Sequence, residues 1–121
     1  ESDPGNWLTY SGSYDSHRFS WLKQITPQNV AGLKPLWVYQ TGNSNPVESS
    51  PLVVDGILYL TQPPSSVIAL DIHSGRTLWT WERTMPRDLR TLGFPLVNRG
   101  AAILNDMVFA GTLDNQRFDI E

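Results

Sequence analysis

Residues 51–81 read PLVVDGILYLTQPPSSVIALDIHSGRTLWTW, a series of short apolar runs separated by turn residues. Asp55-Gly56 between two apolar runs predicts a β-hairpin, because both central residues of the tightest hairpin turns need a positive φ. The residues His73-Ser74-Gly75-Arg76 predict a second turn. The stretch therefore predicts one meander of four antiparallel strands, over residues 51–54, 57–61, 67–71 and 77–81.

The hairpin pattern returns about 50 residues later, where Asn105-Asp106 separates the apolar residues 101–104 from residues 107–112. Residues 36–41 are rich in β-formers and end at Gly42, so we predict a further strand there. Trp37 in this segment and Trp79 in residues 77–81 stand in similar strands. A period of about 40–50 residues with four strands per unit is typical of a β-propeller blade. The sequence therefore predicts an all-β fold, a β-propeller fragment of about two four-stranded antiparallel blades.

The one helix signal lies near residues 26–32. Thr26 is a suitable N-cap, Pro27 suits the first helical position and Gly32 ends the segment early, so we expect a single helical turn. The chain then divides into an N-terminal segment (1–35), a first blade-like unit (36–82), and a connection with the start of the next blade (83–121). A propeller needs about four blades to close, so we expect these residues to belong to a larger ring whose remaining blades cover the open strand edges.

Composition excludes several classes of function. The chain of 121 residues has 9 Lys and Arg against 12 Asp and Glu, a net charge of −3, which argues against nucleic-acid binding. It has no Cys, which excludes disulfides, thiolate metal sites and a thiol nucleophile. No apolar run approaches the roughly 18 residues of a membrane span, and the N-terminus has no signal-peptide pattern, so a signal peptide was either absent or removed.

Several polar residues have a structural interpretation. His17 and His73 lack partners at metal-ligand spacing, so we expect no metal site. Asp114-Asn115 is typical of a turn. Arg83, Arg87 and Arg90 lie in a connection that either is a solvated basic loop or attracts an anionic cofactor; we favour the solvated loop.

Residues 69–79, ALDIHSGRTLW, resemble the tryptophan-docking motif of quinoprotein dehydrogenases, with Ser74 where that motif has Thr. From about residue 6 to residue 114 the chain also resembles the N-terminal part of the pyrroloquinoline quinone (PQQ)-dependent alcohol dehydrogenases. The segments that carry this second resemblance are WLTYSG at 7–12, ITPQNV at 25–30, LWVYQTG at 36–42, ESSPLVVDG at 48–56 and VNRG at 97–100.

The resemblance implies an eight-bladed propeller with PQQ on its axis, usually beside a Ca²⁺ ion. It implies a periplasmic enzyme that oxidises alcohols or sugars by hydride transfer to PQQ and passes the electrons to a cytochrome or a quinone. In that family the general base and the Ca²⁺ ligands lie in later blades. We therefore expect no catalytic residue and no metal ligand in these 121 residues, and no activity from them alone.

Two residues match the family's PQQ contacts: Glu48, just before the first predicted strand, and Arg99 in VNRG. From residue type alone, a solvated carboxylate is the favoured interpretation of Glu48 and a structural arginine that of Arg99. The motif context favours a PQQ contact for both. The chain departs from the family at Gly93 and Phe94, where many members have a vicinal Cys pair. This departure keeps open an alternative, a non-catalytic propeller that serves as a scaffold or assembly protein; a self-standing binding module is a third.

Overall fold

The computed structural model describes residues 3–86, residues 96–114 and the backbone of residues 117–120. Its regular structure consists of strands and one 3₁₀ turn, Val30–Gly32. The strands are β1 (Leu52–Val54), β2 (Ile57–Gln62), β3 (Ser66–Asp71), β4 (Thr77–Glu82), β5 (Ala101–Leu104), β6 (Met107–Gly111) and β7 (Arg117–Ile120). The predicted all-β class is confirmed, and the short turn falls inside the predicted 26–32.

The first sheet is the predicted meander, with the antiparallel order β1-β2-β3-β4. Asp55 and Gly56 turn the chain between β1 and β2 with φ values of 48° and 79°, the positive values that the Asp-Gly signal predicts. Ile68 and Leu70 are 0% and 1% exposed although they point to the face opposite Val67, which is also fully buried. Both faces of the sheet are therefore covered at β3.

The β3–β4 turn is built by its own side chains. Asp71 accepts hydrogen bonds from the Ser74 hydroxyl at 2.6 Å and from the Ser74 amide at 2.8 Å, and these bonds, the hydroxyl bond first, lower the pKa of the Asp71 carboxyl. The Gly75 amide donates to the Asp71 carbonyl at 2.8 Å. Gly75 has a φ of +68°, which a side chain would strain.

The second sheet has the described order β5-β6-β7, and its hairpin turns at Asn105, where φ is 55°. It packs face to face on the first sheet. Val67 of β3 forms a buried core with Val108 and Ala110 of β6. Tyr59, Trp79, Trp81, Ala101 and Ile103 pack around this core.

The segment before β1 is attached to the first sheet at separate points. Trp7 forms an isolated antiparallel bridge with Val53, with N–O distances of 2.7 and 2.9 Å. The Trp37 indole donates to the Ile72 carbonyl at 2.8 Å, and its ring lies where a Cβ on Gly75 would be, within 2.5–2.8 Å. Trp37 therefore occupies the space that the glycine leaves open.

The predicted strand at residues 36–41 is wrong. These residues form no strand in the described structure, although their exposure alternates, with Leu36 and Val38 79% and 77% exposed. A strand requires a partner for its backbone groups, and none of the described residues supplies one here. The two tryptophans therefore have different structural settings. Trp79 lies in strand β4, whereas Trp37 lies outside any strand and is held by its indole hydrogen bond to Ile72. The predicted division at residues 35 and 82 stays a prediction.

Candidate functional site

Glu48 and Arg99, the two candidate cofactor residues, are brought together by the fold. Each lies just before the first strand of its sheet, Glu48 before β1 and Arg99 before β5. The Arg99 Nε donates to the Glu48 Oε2 at 3.1 Å across a separation of 51 residues. The pair thus joins the entrance of one sheet to the entrance of the other.

The ion pair is open to solvent. The Arg99 side chain is 76% exposed and that of Glu48 is 44% exposed. An exposed pair of this kind contributes about 0–1 kcal/mol to stability, so it does little to hold the sheets together. Its chemical capacity is different: a guanidinium that uses Nε for one carboxylate still presents its terminal nitrogens to a second one.

Ser49 fixes the loop that carries Glu48. Its hydroxyl oxygen accepts from the Thr61 backbone amide at 3.1 Å and lies 2.9 Å from the Thr61 hydroxyl. Thr61 belongs to β2 and is 1% exposed. The residue next to Glu48 is therefore tied to the interior of the first sheet.

Asn98 fixes the loop that carries Arg99. Its amide nitrogen donates to the Gly111 carbonyl at 3.1 Å, and its amide oxygen accepts from the Gly100 backbone N–H at 3.2 Å. Asn98 is 7% exposed, although it follows the connection and precedes a strand. The residue next to Arg99 is therefore tied to the end of β6 in the second sheet.

The two loops are neighbours at Gly100. A Cβ placed on Gly100 would lie 3.9 Å from the Ser50 carbonyl oxygen, and Gly100 has a φ of +133° that favours glycine. A depression beside Arg99 is lined by residues 97–100 and 111–113. This depression thus lies next to the ion pair, with Arg99 in its lining.

Sequence reasoning missed Ser49 and Asn98. A serine and an asparagine in loops are ordinarily solvated or part of turns, and neither shows its long-range partner in the sequence. The one signal that pointed toward them is their position, since each directly adjoins a candidate cofactor residue.

Arg83 is not a solvated loop residue, as the favoured interpretation expected, because it forms an ion pair with Asp114. Its Nη2 lies 2.9 Å from the Asp114 Oδ2, and its side chain is 33% exposed against 12% for Asp114. The Thr112 hydroxyl also donates to Asp114, and this bond, followed by that from Arg83, lowers the pKa of the Asp114 carboxyl. Asp114 is therefore part of a link between the two sheets as well as part of a turn. Arg87, Arg90, Gly93, Phe94 and Asn115 lie outside the described residues.

Both histidines, His17 and His73, lie at exposed positions. His17 Nδ1 lies 2.8 Å from Asp15 at an exposed position. Within residues 3–86 and 96–114, no three His, Cys, Asp or Glu side chains gather as a metal site. In the same ranges no helix has the length and apolar character needed to cross a bilayer.

Comparison with known proteins gives consistent matches. The family model described as "PQQ: Glucose/ethanol/alcohol dehydrogenase, beta-propeller domain" matches residues 7–118. The chain is 41% identical over 118 residues to a 1-butanol dehydrogenase (cytochrome c) from Thauera butanivorans, covering 97% of this chain and 17% of that protein. It is 42% identical over 112 residues to a quinoprotein ethanol dehydrogenase from Pseudomonas aeruginosa, covering 91% of this chain and 18% of that one.

A solved structure agrees with these matches. The fold superposes on the quinohemoprotein alcohol dehydrogenase from Comamonas testosteroni with a TM-score of 0.91 and 33% identity, over 97% of this chain and 18% of that one. The chain therefore spans only about a sixth of the length of the relatives it matches. The predicted propeller fragment is confirmed by this likeness.

Proposed function

Because the chain belongs to the glucose/ethanol/alcohol dehydrogenase β-propeller family, we propose that it is part of a PQQ-dependent dehydrogenase and supplies two of its cofactor contacts. The substrate class would be alcohols or sugars, with a cytochrome or a quinone as electron acceptor. The observation that carries the proposal is the Glu48–Arg99 pair. Two residues that match the family's contacts from distant parts of the sequence meet at one exposed place.

The residues present fit such a cofactor. PQQ bears several carboxylates, and a guanidinium is suited to hold one of them bidentately. Arg99 is mostly exposed and uses its Nε for Glu48, so its two terminal nitrogens can face a ligand. When bound, PQQ would supply the two-electron acceptor that receives the hydride from the substrate.

The two side chains would have different roles toward the ligand. Arg99 would bind a ligand carboxylate and compensate its charge. Glu48 would hold the guanidinium in orientation through Nε, and it would accept a hydrogen bond from a ligand N–H or a protonated group. The general base and the ligands of a Ca²⁺ ion would lie in other blades of the longer protein, so these 121 residues alone would be inactive. We propose a periplasmic location on the same family resemblance.

The test uses the full-length protein reconstituted with PQQ and Ca²⁺, an artificial dye as acceptor, and a series of primary alcohols and sugars. We expect bound-quinone absorbance and substrate-dependent dye reduction, with PQQ affinity lowered about tenfold or more by Arg99→Ala, which removes a charged contact. Arg76→Ala, at an exposed turn arginine, is the matched control and should change neither property.

A full-length protein that binds no PQQ and reduces no dye with any substrate would contradict the proposal. That result would favour the scaffold alternative, which is supported by Gly93 and Phe94 at the positions of the family's Cys pair.

A further inference from the structure

We propose that Asn98 and Ser49 are positioning residues that set the geometry of the Glu48–Arg99 pair for an anionic ligand; this inference rests on the proposed function. Neither residue needs to touch the ligand. Each one connects the loop of its charged neighbour to the interior of a different sheet.

The first step of the argument is the placement of Asn98. Its two bonds reach Gly111 at the end of β6, 13 residues further along the chain, and Gly100, two residues further along. Arg99 lies between Asn98 and Gly100, so both of its chain neighbours are held by the same buried amide. The base of the Arg99 side chain is therefore fixed even though its guanidinium is exposed.

The second step is the corresponding arrangement at Ser49. Its hydroxyl is bonded to the backbone and to the side chain of Thr61, a residue buried in β2. The neighbour of Glu48 is therefore fixed to the first sheet in the way that Asn98 is fixed to the second. Together the two contacts set the distance between two loops that otherwise approach at Gly100 and Ser50.

The third step concerns what fixed placement would do for binding. A long, exposed arginine loses rotamer freedom when it binds a ligand, and this loss weakens binding. Holding both neighbours of Arg99, and holding Glu48 against its Nε, reduces the freedom that remains to be lost. Loss of either contact should therefore lower ligand affinity without removing any group that contacts the ligand.

The experiment measures PQQ affinity by equilibrium titration of the full-length apoprotein. Asn98→Ala and Ser49→Ala should each weaken PQQ binding by about tenfold, the scale of lost supporting contacts around a site. Ser49→Thr keeps the hydroxyl and should stay within about twofold of the wild type. Asn43→Ala is the matched control, because Asn43 also ties a loop to a distant carbonyl, that of Pro63, and should leave PQQ affinity unchanged.

A double-mutant cycle separates positioning from general destabilisation. If Asn98 acts through Arg99, Asn98→Ala should weaken PQQ binding in the wild type and have little further effect in an Arg99→Ala background. Ser49→Ala with Glu48→Gln forms an independent second cycle, which serves if the Asn98 variant fails to fold. Additive losses in both cycles would overturn the inference, because they would mean that Asn98 and Ser49 act without their charged neighbours.

The result for Arg99→Ala alone distinguishes the two proposals. If Arg99→Ala leaves PQQ affinity unchanged, the proposed cofactor contact fails, and the positioning role fails with it. If Arg99→Ala weakens binding while Asn98→Ala and Ser49→Ala do not, the contact stands and only the positioning role is overturned.

Discussion

At the scale of single residues, Gly75 shows how one position can meet two demands. It turns the chain with a φ of +68°, and the absence of a side chain leaves room for the Trp37 ring. Gly56 has a similar φ of +79°, but nothing lies within 4 Å of the Cβ it lacks. A side chain at Gly56 would therefore meet backbone strain alone, whereas a side chain at Gly75 would meet both backbone strain and a clash with Trp37.

Gly75→Ala should destabilise the protein more than Gly56→Ala does. The left-handed conformation costs an alanine about 1 kcal/mol at either position, and overpacking against Trp37 should add about 2 kcal/mol at Gly75. Urea unfolding of both variants and the wild type measures the difference. Equal losses at the two positions would mean that the contact with Trp37 does not constrain the turn.

The candidate site was only partly predictable from residue types. Glu48 and Arg99 were identified because they match a family pattern, but sequence spacing alone does not bring residues 51 positions apart to a 3.1 Å contact. Ser49 and Asn98 carry no pattern of their own, since their function depends on partners that become neighbours only after folding. The sequence therefore predicted the charged residues of the site but not the residues that hold their loops in place.

At the scale of elements, the two hairpins were predictable from the sequence, whereas the lack of a strand at residues 36–41 was not. Asp55-Gly56 and Asn105-Asp106 each determine their hairpins locally, because the turn residues take positive φ at Asp55, Gly56 and Asn105. Residues 36–41 carry an equally strong strand pattern, yet pairing is a property of two segments and the described residues offer no second one. This segment is held by the Trp37 side chain, which bonds to the Ile72 carbonyl, and not by the backbone hydrogen bonds of a strand.

The link formed by Arg83, Asp114 and Thr112 should make the contact between the two sheets depend on pH. The Thr112 hydroxyl and then Arg83 hold the pKa of Asp114 below its ordinary value of 3.8. A carboxyl whose folded pKa is lowered contributes stability that is fully present above the ordinary pKa and is lost as the pH falls through the folded value.

Asp114→Asn should therefore be less stable than the wild type at neutral pH, and the two should converge as the pH falls below about 3.8. Thermal unfolding over a pH series measures this convergence. Asp106→Asn, at an exposed turn carboxylate, is the control and should show no such change. A constant difference between wild type and Asp114→Asn across the series would refute the link's charge dependence.

At the scale of the whole molecule, the 121-residue chain leaves strand edges uncovered. β4 and β5 each have one side without a strand partner among the described residues. Leu36 and Val38 are also largely exposed to solvent. Exposed edges pair readily with other chains. We expect the isolated 121-residue chain to self-associate in sedimentation velocity experiments, and a monomer that melts cooperatively would contradict this.

The position of the Glu48–Arg99 pair has a thermodynamic consequence for the whole molecule. One half of the pair precedes each sheet, so a ligand that contacts both halves recognises only the state in which the sheets are docked. Its binding free energy then adds to the free energy of docking, by an amount that grows with the logarithm of ligand concentration above the Kd. Separation of the sheets and release of the ligand are then one linked equilibrium. The fraction of sites that hold ligand would therefore measure the fraction of molecules whose two sheets are docked.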